Sequence, residues 1–383
     1  MFSGKKILYK FAPIFIRVRT RFIITVIIET YNKIRIKDIA ILAGVSAGTV
    51  DRVIHNRGQV SEENKAKILK IIEELNYKPN LLARSLASKR NYLIVTILPE
   101  SKDNTGYWAA PTTGIQKGWK EIADHNVRLI NLFYDQYNVK SFQQKFTELL
   151  AYKPDAVLIA PVFRTTTIQL VHTLDEQNIP YIFIDSNIEG VNNLAYFGQH
   201  SYQSGFLAAR LLQLGLPENA KIAVITPIKK YISNQTRSRI EGFNAFFEQE
   251  GLQEKYTFLN FEYDIENQER SNHRLELFFR ENPQIEAVAV FNSRVYEIAI
   301  ILEKLKLKKI RLIGYDLLKE NADYLRKGIV TFLLAQRPEE QGYQGILTLF
   351  NYLALKQNVN KIQYVPIDIL TKENIDYYIN FNK

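Results

Sequence analysis

The chain has 383 residues, 46% of them hydrophobic and 23% charged, a net charge of +10, no cysteine and a single methionine. That length exceeds one comfortable hydrophobic core, and the missing cysteines exclude thiol nucleophiles, disulfides and cysteine-ligated zinc, as fits a reducing compartment. Residues 1–90 carry 18 Lys and Arg against 7 Asp and Glu, the rest 32 against 33, so the basic excess sits where clustered phosphate contacts would need it. Residues 1–34 alternate basic and apolar stretches (KKILYKFAPIFIRVRTRFIITVIIETYNK). FIITVII is too short to span a bilayer, and no small-residue cleavage site follows it. Three readings stand: a start codon assigned too early, an extra phosphate-binding arm, or an atypical membrane anchor. The first is preferred, and mass spectrometry of the native N-terminus separates them.

Ile36, Ile39, Ala40 and Ala43 recur at helical spacing, and Gly44 then supplies the freedom for a sharp turn. Ser46 caps a second helix whose core face is Val50, Val53 and Ile54. Its outer face carries Ala47, Gly48, Thr49, Asp51, Arg52, His55 and Asn56, short and polar side chains suited to a major groove. A third helix stops at Pro79; Asn80 can cap a fourth, with Leu82 and Leu86 on one face.

The run DIAILAGVSAGTVDRVIHN, then Val60 and Ser61, then LNYKPNLLARSLASKR, resembles the head of the LacI/GalR family of bacterial transcription regulators almost position by position. The resemblance implies an all-α helix-turn-helix head over 35–79 and a hinge helix over 80–90, following an N-terminal extension of 1–34. It implies that Ala47, Gly48 and Arg52 read base edges, that Ser46, Thr49, Tyr77 and Asn80 face phosphates or the groove rim, and that Leu86 wedges into the central base step of the minor groove. Asp51 departs from the family, which usually has Ser there; its carboxylate can accept from a cytosine amino group or pair with Arg52 or Arg57. Gly48 has no side chain to read with, so the burden of choosing a sequence shifts to Arg52, His55 and Leu86.

From residue 91 the period changes. Apolar runs of strand length (93–98, 127–133, 155–160, 181–185, 221–226, 286–291, 310–316 and 329–335) alternate with helical stretches. That pattern predicts an α/β core of two doubly wound, parallel-sheet subdomains, with ligands beyond the carboxyl ends of the strands. Asp185, Asn292, Asp316 and Gln336 end such runs, Arg239 starts a helix, and Tyr107 and Trp108 lie in the loop after the first strand. Carboxylates, amides, a guanidinium and aromatic plates are what a polyhydroxylated ligand needs. Each residue has a plainer alternative: Asp185 and Asp316 as helix caps, Arg239 paired with Glu241, the aromatics as hinge packing. Residues 91 to about 375 resemble periplasmic sugar-binding proteins of the ribose type, which implies that these seven residues line a cleft between two lobes. The implied lobes are about 91–197 with 337–358, and about 198–336 with 359–383, closing on ligand.

No G-x-G-x-x-G, G-x-x-x-x-G-K-[ST], H-E-x-x-H or G-x-S-x-G motif occurs, so no cofactor is expected and an enzyme ranks a distant third. Asn234-Gln235-Thr236 matches a glycosylation sequon by coincidence, and the histidines other than His55 read as surface or capping residues. Two classes compete. One is a cytoplasmic, ligand-responsive regulator that binds a pseudo-palindromic operator on double-stranded DNA as a homodimer or higher assembly, senses a small metabolite such as a sugar, and has no membrane partner. The other is an exported solute-binding protein whose first 30 or so residues act as signal or anchor. The head over 36–90 discriminates, because an exported receptor has no use for a recognition helix.

Overall fold

Among the described residues, three helices build the head: α1 (Ile36–Ala43), α2 (Ala47–Ile54) and α3 (Glu62–Glu74). The computed structural model describes residues 35–54, 58, 60–75, 90–101 and 106–381, and the chain divides into two units between residues 88 and 89. Residues 1–34, His55, Tyr77 and the hinge positions Asn80 and Leu86 lie outside the described residues. Asp38 caps α1 by accepting from the Arg35 amide at 2.8 Å, which satisfies one of the free amides of the first turn. Gly44 ends α1 in the left-handed region, at φ 66°, where the lack of a Cβ removes the steric penalty. Ser46 Oγ then accepts from the Thr49 amide at 3.1 Å and starts α2. Ile39, Ala43, Val50 and Ile68 are buried where the three helices meet.

The second unit has two lobes. The first contains β1 (Tyr92–Pro99), α4 (Ala109–Ile122), β2 (Val127–Tyr134), α5 (Val139–Ala151), β3 (Ala156–Ile159), α6 (Arg164–Glu176), β4 (Tyr181–Ile184) and β5 (Ala195–Gly198). The chain then enters the second lobe with α7 (Ser201–Gln213), β6 (Lys221–Pro227), α8 (Asn234–Gln249), β7 (Thr257–Tyr263), α9 (Gln268–Glu281), β8 (Ile285–Val290), α10 (Val295–Lys304), β9 (Arg311–Tyr315), α11 (Lys319–Arg326) and β10 (Phe332–Ala335). α12 (Pro338–Leu355) and β11 (Ile362–Tyr364) return to the first lobe, while β12 (Asp368–Leu370) and α13 (Ile375–Phe381) belong to the second. The strand orders are β11-β5-β4-β3-β1-β2 and β12-β10-β9-β8-β6-β7. Among the described residues, all strand pairs are parallel except β10 with β12. Strands such as β3, β4 and β8 are buried on both faces, which is why they read as unbroken apolar runs.

One boundary differs from the sequence reading. β11 pairs in parallel with β5, so the first lobe extends through Tyr364 and does not end at 358. Ile362 and Tyr364 are about half exposed, and a three-residue edge strand leaves no apolar run to detect.

In each lobe two helices approach closely through glycine. A Cβ on Gly114 of α4 would lie 1.9 Å from the Glu339 carbonyl oxygen of α12. In the second lobe a Cβ on Gly205 of α7 would lie 1.9 Å from the Arg239 carbonyl oxygen of α8, and one on Gly242 of α8 would lie 1.9 Å from that of Tyr202. Backbone thus packs on backbone beneath the residue that α8 offers to the cleft.

Candidate functional site

A cleft of about 730 Å3 lies between the two lobes. Asp185 follows β4 and Asp316 follows β9, the fourth strand of each lobe in chain order. Both adopt left-handed backbone, φ 68° and 70°, a conformation that Asp tolerates better than most residues. It is held in place: the Asp185 amide donates to Phe197 O at 3.1 Å and to Gln341 Oε1 at 2.9 Å, and the Asp316 amide donates to Leu334 O at 2.9 Å. Neither residue caps a helix; the residue at the cap of α11 is Leu318.

A chain of amides joins the two carboxylates. Gln235 Nε2, from α8 of the second lobe, donates to Asp185 Oδ1 at 3.3 Å, to Asp185 O at 3.2 Å and to Gln336 Oε1 at 3.0 Å. Gln336 Nε2 in turn donates to Asp316 Oδ1 at 2.8 Å, and Gln341 Nε2 donates to Gln336 O at 2.7 Å. Tyr107 Oη donates to the Asp185 Oδ1 from the first lobe at 2.6 Å. Burial raises the Asp316 carboxyl to about 6, against the opposing pull of Arg239. Burial raises Asp185 as well, while the hydrogen bond from Tyr107 and the charge of Arg239 hold it down.

Arg239 is only 1% exposed. Its Nη1 donates to Phe291 O at 3.1 Å and its guanidinium lies 3.8 Å from the Tyr315 ring centroid, so its partners are these and not Glu241. Among the described residues, its Nε and Nη2 have no hydrogen-bond partner. Those two N–H groups share one edge of the guanidinium, the fork that grips paired oxygens. A buried charged donor without an acceptor is costly, by more than the ~1–3 kcal/mol of a neutral group, and Arg239 lines the cleft, so the fork is a candidate contact for a ligand.

All seven residues expected at the cleft line it: Tyr107, Trp108, Asp185, Arg239, Asn292, Asp316 and Gln336. Trp108 Nε1 donates to Gln136 Oε1 at 3.1 Å, and its ring stands edge-on to Tyr107 at 5.0 Å. Asn292 donates to the Tyr263 hydroxyl and accepts from the Arg294 amide. Gln235 was missed, being read only as part of a sequon. A signal existed: behind the cap Ser233 it stands four residues before Arg239, hence on the same helix face. Tyr137, Tyr231, Arg294 and Glu297, which border or support the cleft mouth, come from loops and a helix start that carry no such period.

In the head, Ser46, Gly48 and Arg52 are exposed and Ala47, Thr49 and Asp51 half-buried along α2. Arg52 Nε donates to Gly48 O at 3.3 Å, and the hydroxyls of Ser46 and Thr49 are hydrogen-bonded to each other at 2.9 Å.

Residues 35–80 match the profile of bacterial regulatory proteins of the lacI family, and residues 94–357 match that of the periplasmic binding protein domain. A Bacteroides fragilis protein of known structure, designated a LacI transcriptional regulator, is 36% identical, is matched over 76% of this chain and 100% of its own, and superposes with a TM-score of 0.69. The chain belongs to the LacI family of bacterial regulators. Another relative of this LacI-family protein is the ribose operon repressor of Lactococcus lactis, 26% identical over 89% of this chain and 97% of its own. The glucose-galactose binding protein GanP of Geobacillus stearothermophilus shares the fold of the core, with 21% identity over 75% of this chain and 99% of its own and a TM-score of 0.66. The LacI-family protein is therefore a DNA-binding transcription regulator and not an enzyme. Among the described residues, no helix is long and apolar enough to cross a membrane.

Proposed function

We propose that this regulator represses transcription from the cytoplasm, binding a pseudo-palindromic operator as a homodimer and answering to a neutral, polyhydroxylated metabolite, a sugar, held between the lobes. The observation that carries the ligand class is the buried Arg239 fork facing the cleft together with Asp185 and Asp316. Two carboxylates against one guanidinium disfavour an anionic ligand, whereas adjacent hydroxyl oxygens can accept from the fork while their hydrogens go to the carboxylates. The ribose operon repressor among its relatives supports the same class. Because Gln235 of the second lobe already donates to Asp185 of the first, a ligand bridging Asp185 and Asp316 binds the closed arrangement better and shifts the population toward it.

Thermal-shift screening of the full chain against sugars, sugar phosphates and purines tests the ligand class, since ligand at ~100 times its dissociation constant stabilises the native state by about 2.7 kcal/mol. Arg239→Ala abolishes the shift for the true ligand; an undiminished shift places the site elsewhere. On the DNA side, Arg52→Ala is expected to weaken operator binding by about 1–3 kcal/mol and to relax preference at one base pair. Gel-shift titration on matched and single-substituted operators measures both, and equal loss on all sequences would reassign Arg52 to a phosphate.

A further inference from the structure

The cleft changes character from base to mouth. At its base, Trp108, Asp185, Gln235, Arg239, Asp316 and Gln336 are all buried. At its mouth, Asp135, Tyr137 and Lys230 are exposed and Tyr231 and Arg294 half-buried. Tyr137 of the first lobe and Tyr231 of the second meet across the opening, ring centroids 5.5 Å apart and nearly perpendicular at 82°, and Arg294 lies against the Tyr137 hydroxyl.

We propose that the mouth is a second subsite that takes a further neutral sugar ring, so that the effector is a disaccharide or longer. This inference rests on the sugar reading of the base and adds to it. Size is the first argument. A cleft of about 730 Å3 falls in the upper half of the roughly 300–1,000 Å3 range of sites that hold drug-sized molecules, whereas a hexose has only about a dozen non-hydrogen atoms. One ring at the base therefore leaves room at the mouth.

Chemistry is the second. Tyr137 and Tyr231 both line the cleft, bringing aromatic surface that can pack on the C–H groups of a pyranose, and Gln136, Asp135 and Arg294 line it with donors and acceptors for its hydroxyls. A phosphate at this place is disfavoured because the cations there are already engaged. Lys230 pairs with Glu266 at 3.1 Å, and Arg294 pairs with Glu297. A phosphorylated ligand needs surplus cations, and the mouth has none to spare among the described residues.

Calorimetric titration of the full chain with glucose, galactose and arabinose, with maltose, cellobiose, lactose, melibiose and sucrose, and with glucose 6-phosphate tests this. At least one disaccharide is expected to bind tenfold or more tightly than its component monosaccharides, with no gain for the phosphate. Tyr231→Ala, and separately Tyr137→Ala from the opposite lobe, should remove that advantage while leaving monosaccharide affinity within about twofold. Monosaccharides binding as tightly as every disaccharide, equal weakening of both by Tyr231→Ala, or a gain confined to the phosphate would each overturn the second subsite and leave the base reading standing. Failure of every sugar to bind would overturn both.

Discussion

Asp316→Asn is expected to make the unliganded protein more stable at pH 7 and to end its response to ligand. The wild-type carboxyl is raised to about 6 by burial, above the ~3.9 of an unfolded Asp. The folded state therefore holds a proton that the unfolded chain releases. Stability falls as pH rises from about 4 through about 6 and is level above, where both states are ionised; the cost at pH 7 is about 3 kcal/mol. Asn keeps an oxygen for the Gln336 amide and leaves one buried carboxylate, Asp185, facing one guanidinium. Recovery of about 2 kcal/mol raises Tm by roughly 3 °C. Urea melts of wild type and variant from pH 4 to 7 should show a gap that opens with pH. A variant less stable than wild type at pH 7 would mean that Arg239 depends on Asp316 more than burial penalises it. For the wild type, a ligand that requires the ionised carboxylate binds roughly tenfold more weakly at pH 5 than at pH 7.

Gly205→Ala is expected to be among the most damaging single changes in the second lobe. Its added methyl would lie 1.9 Å from the Arg239 carbonyl oxygen and 2.8 Å from its Cα, and backbone cannot swing aside as a side chain can. α7 and α8 must separate, which costs about 3 kcal/mol or more. The displacement acts on the residue that carries the fork, so ligand affinity should fall even in the fraction that folds. Chemical denaturation gives the first effect and calorimetry at low temperature the second. Gly251→Ala serves as the control: its φ of 63° makes it strained too, yet its Cβ would meet nothing within 4 Å, so it should lose stability without losing affinity.

Much of this was legible in the sequence because parallel strands buried on both faces are unbroken apolar runs, and a polar residue that ends one stands out. Asp185, Asn292, Asp316 and Gln336 were visible for that reason. β7 was not, since as an edge strand it exposes Thr257, Asn260 and Glu262 and so breaks the run. β11 and β12, of three residues each, are too short to carry a period. Gln235 escaped because its importance lies in what it reaches: Asp185, 50 positions away, and Gln336, 101 away. Spacing along one helix shows a shared face, and only the packed lobes show what that face meets. The head was the most readable part, where cap, turn glycine and core positions fall within 20 residues and every signal is local.

The placement of Asp185 in one lobe and Asp316 in the other gives the cleft a logic of two keys turned together. With the proposed closure, a molecule that reaches side chains of only one lobe gains affinity equally in open and closed arrangements, and so moves neither population however tightly it binds. Such a compound occupies the cleft silently and blocks the natural signal. Antagonists of this regulator are therefore to be sought among sugars deoxygenated on one side, where occupancy and switching come apart.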